Sequence, residues 1–179
     1  MKLDKFNQDD FIKASNRLVR SLTRGKTTSS QPKAILLGGQ SGAGKTTIHR
    51  IKQREFQGNI IIIDGDSYRS FHPNYLALQE KCGKDSVDYT KVFAGQMVEY
   101  LVDELSKQGY HLLIEGTLRT TEVPRKTAQL LTNRGYQVSL ALIATKPELS
   151  YLSTLIRYEE LYAIDPSPVS YTHLTLPTK

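Results

Sequence analysis

The stretch AILLGGQSGAGKTTIHR, residues 34–50, constrains the chain more than any other. A short apolar run of buried-strand length enters a turn crowded with glycine and leaves it in a polar stretch with helical character. Gly39, Gly44, Lys45 and Thr46 meet the spacing G-x-x-x-x-G-K-[ST] of a phosphate-binding loop. Positive φ at Gly39, Gly42 and Gly44 is expected to turn successive N–H groups inward as a nest for anionic oxygens. A helix beginning near Lys45 aims the positive end of its dipole at the same point. The nucleotide-binding candidates are therefore Gly39, Gln40, Ser41, Gly42, Ala43, Gly44, Lys45, Thr46 and Thr47, with Lys45 reaching the β- and γ-phosphates and the Thr46 hydroxyl ligating Mg²⁺. The dinucleotide pattern G-x-G-x-x-G fails, because the sixth position after Gly42 and Gly44 is Thr47.

From Lys33 onward strand and helix signals alternate, which predicts an α/β fold: a mostly parallel sheet flanked by helices in three layers. Strands are expected at Ala34–Gly38, Asn59–Ile63, His111–Glu115 and Gln137–Ala144. Helices are expected at Thr46–Phe56, at about Asp88–Lys107 before Gly109, and from Thr121, as the cap, to just before Gly135. A last helix opens at Thr145–Glu148 and runs to about Tyr162.

In such a sheet ligands bind beyond the carboxyl ends of the strands. IIIIDGDSYR places Asp64 and Asp66 there. Asp66 is the candidate base for a hydroxyl attacking a γ-phosphate, and a carboxylate here can also hold Mg²⁺ through water. Asp64 reads equally well as an Asx-turn or a cap. HLLIEGTLR presents Glu115, Thr117 and Arg119, either to hold a polar acceptor or as an ordinary surface ion pair. Arg157, on YLSTLIRYEE, either places a cation over the transferring phosphoryl group or pairs with Glu160 one helical turn on. The guanine-reading N-K-x-D and the D-x-x-G of switch GTPases are missing from the sequence, which disfavours that class. His49, His72, His111 and His173 share no metal-ligand spacing and are assigned no chemistry.

Charge needs locating before it is read. Residues 1–30 hold seven of the 24 Lys/Arg and three of the 18 Asp/Glu, so most of the net +6 lies there and the rest is close to neutral. Phe11, Ala14, Leu18 and Leu22 recur at helical spacing, with Asp9 or Asp10 as cap. This basic helix either meets a nucleic acid or an acidic protein partner, or packs on the body as a solvated helix, and packing is the reading taken; GKTTSSQP, residues 25–32, follows as a flexible linker. The expected organisation is a basic helical arm and linker over 1–30, a kinase domain over 31–165 and an irregular tail over 166–179. Neither a membrane span nor a nucleic-acid role is expected, and the single Cys82 and the charged N-terminus fit a cytoplasmic protein.

Taken in order, GGQSGAGKTT, IDGDSYR, IEGTLR and LSTLIRYEE resemble the zeta toxins, in particular their pneumococcal-type members, over roughly residues 1–165. The resemblance implies a P-loop kinase that uses ATP and Mg²⁺ to phosphorylate the 3′-hydroxyl on the amino sugar of UDP-N-acetylglucosamine, blocking cell-wall synthesis. It implies that Lys45 and Thr46 hold ATP and metal, that Asp66 is the base and that Arg157 sits against the phosphates. Glu115 and Arg119 match the family's sugar-nucleotide contacts, joined by Glu99 and Thr127. It also implies a small antitoxin as protein partner.

The stretch DPSPVSYTHLTLPTK, residues 165–179, departs from the family pattern. Three prolines and no helical periodicity read as a non-native ending, with a further cationic lid residue and the C-terminal helices of the family missing. Two alternatives accompany the kinase expectation: a nucleotide-binding remnant impaired in turnover, and a kinase for another small-molecule hydroxyl.

Overall fold

The computed structural model describes residues 3–116 and 120–164, apart from the side chains of residues 84, 158, 161, 162 and 164. Its centre is a four-stranded parallel sheet of β1 (Lys33–Gly38), β2 (Ile61–Asp64), β3 (Leu112–Gly116) and β4 (Gln137–Leu142), in the order β2-β3-β1-β4. The expected strands are all present, with ends shifted by one or two residues. Among the described residues six α-helices connect or flank them: α1 (Gln8–Thr23), α2 (Lys45–Glu55), α3 (Tyr75–Cys82), α4 (Ser86–Lys107), α5 (Glu122–Asn133) and α6 (Pro147–Ile164).

The two sheet faces are built from alternate residues. Ala34, Leu36, Ile61, Ile63, Leu112 and Ile114 point to one face, where α1, α4 and α5 cover them. On α4, Phe93, Met97, Leu101 and Leu105 are fully buried at four-residue spacing, a stripe that lies along the sheet. Ile35, Leu37 and Leu113 point to the other face and meet Ile48 and Phe56 at the two ends of α2. Adjacent β1 and β3 thus send their following helices to opposite faces, which opens a crevice beyond their carboxyl ends.

The basic helix packs on the body: Ala14 and Leu18 join the main core, while Phe6 and Phe11 sit edge-on to Phe93 at 5.0 and 5.6 Å between centroids. Its cap is neither Asp9 nor Asp10. Asn7 Oδ1 accepts from the Asp10 amide at 2.7 Å, leaving both aspartates in the first turn where the helix dipole favours them. The 25–32 segment, expected as a linker, is tied down along its length. The Thr27 amide donates to Asn59 Oδ1 at 2.8 Å, Lys26 Nζ donates to the Gly58 carbonyl, and the Ser29 amide donates to the Gly109 carbonyl at 2.9 Å. Thr121 does precede α5, but its hydroxyl makes no cap hydrogen bond.

Between β2 and α4 the sequence reading held no element; a 3-10 helix over Asp66–Phe71 and α3 occupy that stretch. Asn74, a residue type favoured at helix starts, stands at the N-cap of α3 but makes no cap hydrogen bond; its side-chain amide donates to the Leu3 carbonyl at 3.0 Å and the Lys5 carbonyl at 3.3 Å, and the helix is buried through Leu78 and Gln79. Cys82 is half-buried. Among the described residues no helix is long and apolar enough to cross a membrane.

Candidate active site

β1 delivers the chain into the loop from Gly39 to Gly44, and the loop into α2. Gly42 (φ 74°) and Gly44 (φ 92°) adopt the left-handed conformation that the nest requires. Gly39 does not. A Cβ there would meet those of Ile143 and Ala43 at ordinary contact distances of 3.4 and 3.5 Å, so neither conformation nor space demands glycine at that position. Gly44 is the N-cap of α2 and no side chain caps that helix, whose first amides therefore open onto the loop. Lys45 Nζ donates to the loop's own carbonyls, Gly39 at 2.9 Å and Gln40 at 3.0 Å, and so lies across the nest.

Opposite the loop, the parallel register sets Asp64 directly beside Glu115, and Glu115 beside Leu37. Asp64 is a turn-former: Oδ1 accepts from the Asp66 amide at 3.1 Å and Oδ2 from the Ser67 hydroxyl at 2.7 Å, which winds the chain into the 3-10 helix. Asp66 is thereby raised at the start of that helix. Its Oδ1 accepts from Arg69 Nε at 2.9 Å, and Arg69 is itself anchored through Nη1 to the Val87 carbonyl at 2.7 Å and the Thr90 hydroxyl at 3.2 Å. Arg69 escaped the sequence reading; its one local signal is the i, i+3 spacing from Asp66.

Glu115 lies within ion-pair distance of two groups on α2. Oε1 is 3.6 Å from Lys45 Nζ and Oε2 is 2.8 Å from His49 Nε2, the latter at contact distance without the alignment of a hydrogen bond. Burial, then the neighbouring Asp64 charge, push the Glu115 carboxyl above its usual range; Lys45 and His49 oppose that, and Asp66 adds to it. The local partners of Glu115 are therefore Lys45 and His49. Arg119 and Thr117 lie outside the described residues.

The cleft enclosed by these elements has a volume of about 770 Å³ and is lined by Ser41–Thr46, His49, Asp64, Asp66, Ser67, Ser70, Tyr75 and Glu115, with Ser153, Thr154 and Arg157 from α6. α6 is fastened to the loop: the Ser150 hydroxyl donates to the Ser41 carbonyl, the Thr145 hydroxyl donates to the Ala43 carbonyl at 3.2 Å, and Gln40 Nε2 donates to the Thr145 carbonyl at 3.1 Å. Two turns beyond, Arg157 is exposed at the cleft, and among the described residues no ion pair joins it to Glu160.

Loop, carboxylates and arginine thus share one cleft, and residues 18–175 match the family model described as Zeta toxin. The chain belongs to the zeta toxin family. It is 70% identical over 172 residues to Toxin PezT of Streptococcus pneumoniae, covering 96% of this chain and 68% of that protein. It is 41% identical over 161 residues to Toxin zeta of Streptococcus pyogenes, covering 90% of this chain and 56% of that protein. A solved structure from the PezAT chromosomal toxin-antitoxin system of S. pneumoniae matches with a TM-score of 0.90 at 71% identity, over 94% of this chain and 70% of that one. A putative kinase from Chloroflexus aurantiacus, 14% identical with a TM-score of 0.56 over 80% of this chain and 76% of that one, shares the fold.

In this zeta toxin chain the structure brings Ser41, Gly42, Ala43, Gly44, Lys45, Thr46, Asp66, Glu115 and Arg157 to one cleft, and Gly39, Gln40 and Thr47 to the same loop and helix start. Glu99, exposed on α4, and Thr127, half-buried on α5, do not line it. Glu99 follows Val98, whose Cγ2 lies 3.1 Å from a Cβ built on Gly65, so that turn of α4 meets the Asp64–Asp66 loop. His49, set aside on spacing, is in the cleft. His72 and His111 are placed by backbone contacts: each Nδ1 accepts an amide, from Asn74 at 3.2 Å and from Lys33 at 3.0 Å. His173 lies outside the described residues, as does the 165–179 tail. The oxygen donors beside the loop, the Thr46 hydroxyl with the carboxylates of Asp64 and Asp66, suit a hard divalent cation that takes its remaining ligands from phosphate and water. Among the described residues, no three His, Cys, Asp or Glu side chains are grouped to hold a metal.

Proposed function

We propose that this chain carries the phosphotransferase site of a kinase that moves the γ-phosphoryl group of ATP to the 3′-hydroxyl on the amino sugar of UDP-N-acetylglucosamine. The observation that carries this reading is the facing of Asp66 and Arg157 onto the same cleft as the phosphate loop. The bond formed joins the acceptor oxygen to the γ-phosphorus. The bond broken joins that phosphorus to the β–γ bridging oxygen, ADP leaves, and the hydroxyl proton passes to the Asp66 carboxylate.

The loop amides between Gly39 and Thr47 cradle the phosphates, apart from those of Ala43 and Thr47, which donate to the Gln40 and Gly44 carbonyls, and Lys45, released from the carbonyls that now hold it, turns to them. Mg²⁺, when bound near Thr46, neutralises phosphate charge. Arg157 places a guanidinium where charge develops on the transferring group. Glu115, at the end of β3, is proposed as an acceptor contact together with Arg119, Glu99 and Thr127. The chain spans 68% and 56% of the two curated relatives, so the activity of the whole protein, its cytoplasmic location, its domain division at 31–165 and its pairing with an antitoxin belong to the same proposal.

Incubation of purified chain with ATP, Mg²⁺ and UDP-N-acetylglucosamine tests it. Mass spectrometry is expected to show ADP and a sugar nucleotide heavier by one phosphoryl group. No product, under conditions where a full-length relative turns over, overturns it.

A further inference from the structure

From the geometry below the phosphate loop we infer that His49 is a positioning residue, fixing the carboxylate of Glu115 so that its other oxygen faces the acceptor. What Glu115 touches rests on the kinase reading; that His49 holds it does not.

Lys45 and His49 are four residues apart on the first turns of α2, hence on one face of the helix. Because β1 pairs with β3 in the register Leu37↔Glu115, that face meets the end of β3. The two groups divide the carboxylate: Lys45 stands 3.6 Å from Oε1 and His49 stands 2.8 Å from Oε2. Their duties differ. The Lys45 ammonium also holds the Gly39 and Gln40 carbonyls and is the group that turns to the phosphates. His49 has no second polar claim on Nε2, which is buried and makes no hydrogen bond among the described residues; Oε2 is its neighbour. Both side chains are only 16% exposed, so water does not readily replace either partner. When Lys45 leaves, Oε1 is freed toward the cleft while Oε2 stays with His49. An exposed glutamate would be left to rotate; this one keeps its direction.

Two measurements on the full chain decide the inference. In ligand-free protein the ring-nitrogen NMR shifts of His49 are expected to move in Glu115→Gln, and unchanged shifts overturn it. In kinetics, His49→Leu is expected to raise KM for UDP-N-acetylglucosamine about tenfold, more than it lowers kcat, with the affinity for a non-hydrolysable ATP analogue retained. His49→Gln, which keeps a donor, is expected to restore most of that loss. On the Glu115→Gln background, His49→Leu is expected to add nothing. Additive losses, or no rescue by Gln, overturn it. If His49→Leu fails to fold, the Gln variant and the ring-nitrogen shifts carry the test. A folded wild-type chain that phosphorylates no acceptor sinks the kinase reading, and the ring-nitrogen shifts still decide whether His49 holds Glu115.

Discussion

The carbonyl oxygen of Ser150 lies 2.2 Å from where a Cβ on Gly42 would sit, so the helix bearing Arg157 rests directly on the phosphate loop. Glycine at 42 answers two demands at once, a φ of 74° and the approach of another backbone, whereas Gly44, at φ 92°, has open space around it. Left-handed backbone costs an L-residue about 1–2 kcal/mol. Gly44→Ala is expected to show that cost alone, a drop in Tm of about 2–4 °C per kcal/mol. Gly42→Ala adds the clash and is expected to fall further while losing nucleotide affinity as α6 shifts. Equal melting temperatures for the two variants in scanning calorimetry contradict this account.

Asp66 is expected to carry the proton transfer. Asp66→Asn should lower kcat by about 10²–10⁴-fold with nucleotide affinity retained. Arg69 holds the same carboxylate and is anchored to Val87 and Thr90 on α4, so Arg69→Leu is expected to lower kcat in the same direction by a smaller factor. Arg69→Leu with unchanged kcat removes Arg69 from this role.

Arg157 has an exposed side chain and, among the described residues, no ion pair with Glu160, so it contributes little to the fold. Arg157→Ala is expected to leave Tm within about 2 °C of wild type, in line with an exposed substitution. Turnover is expected to fall by about 10²–10³-fold. Thermal melts and steady-state rates on the same preparation check both halves, and a full rate in Arg157→Ala contradicts the assignment.

Glu115 and Asp103 are expected to give opposite pH slopes. Burial, then Asp64, raise the Glu115 carboxyl above its ordinary 4.5, so the folded state binds that proton more tightly than the unfolded chain and stability declines as pH climbs past 4.5. Lys107, then Arg134, lower the Asp103 carboxyl below its ordinary 3.8, so its stabilisation is present above that pH and is lost as pH falls through the depressed folded value. Glu115→Gln is therefore expected to improve on wild type most at neutral pH and least in acid. Asp103→Asn is expected to be destabilising at neutral pH and to converge with wild type in acid, by a modest amount because the pair is partly exposed. Denaturant midpoints at pH 3, 5 and 7 check the signs, and slopes of the same sign for both variants contradict them.

The sequence by itself determined what is local. An apolar run, glycines at a fixed spacing and a polar stretch specify β1, the loop and α2, because turn conformation and strand burial depend on neighbouring residues. The carboxylates after β2 and β3 were legible for the same reason, as polar residues just past buried strands. Tertiary structure alone decided who meets whom. The order β2-β3-β1-β4 puts Asp64 beside Glu115, and the face of α2 brings His49, which has no motif of its own, to the same carboxylate. The seat of α6 on Gly42 aims Arg157, and contacts with the distant Leu3 and Lys5 carbonyls take the Asn74 side chain away from the α3 cap. These outcomes rest on ladder register and on packing between residues dozens of positions apart, which no short window of sequence encodes.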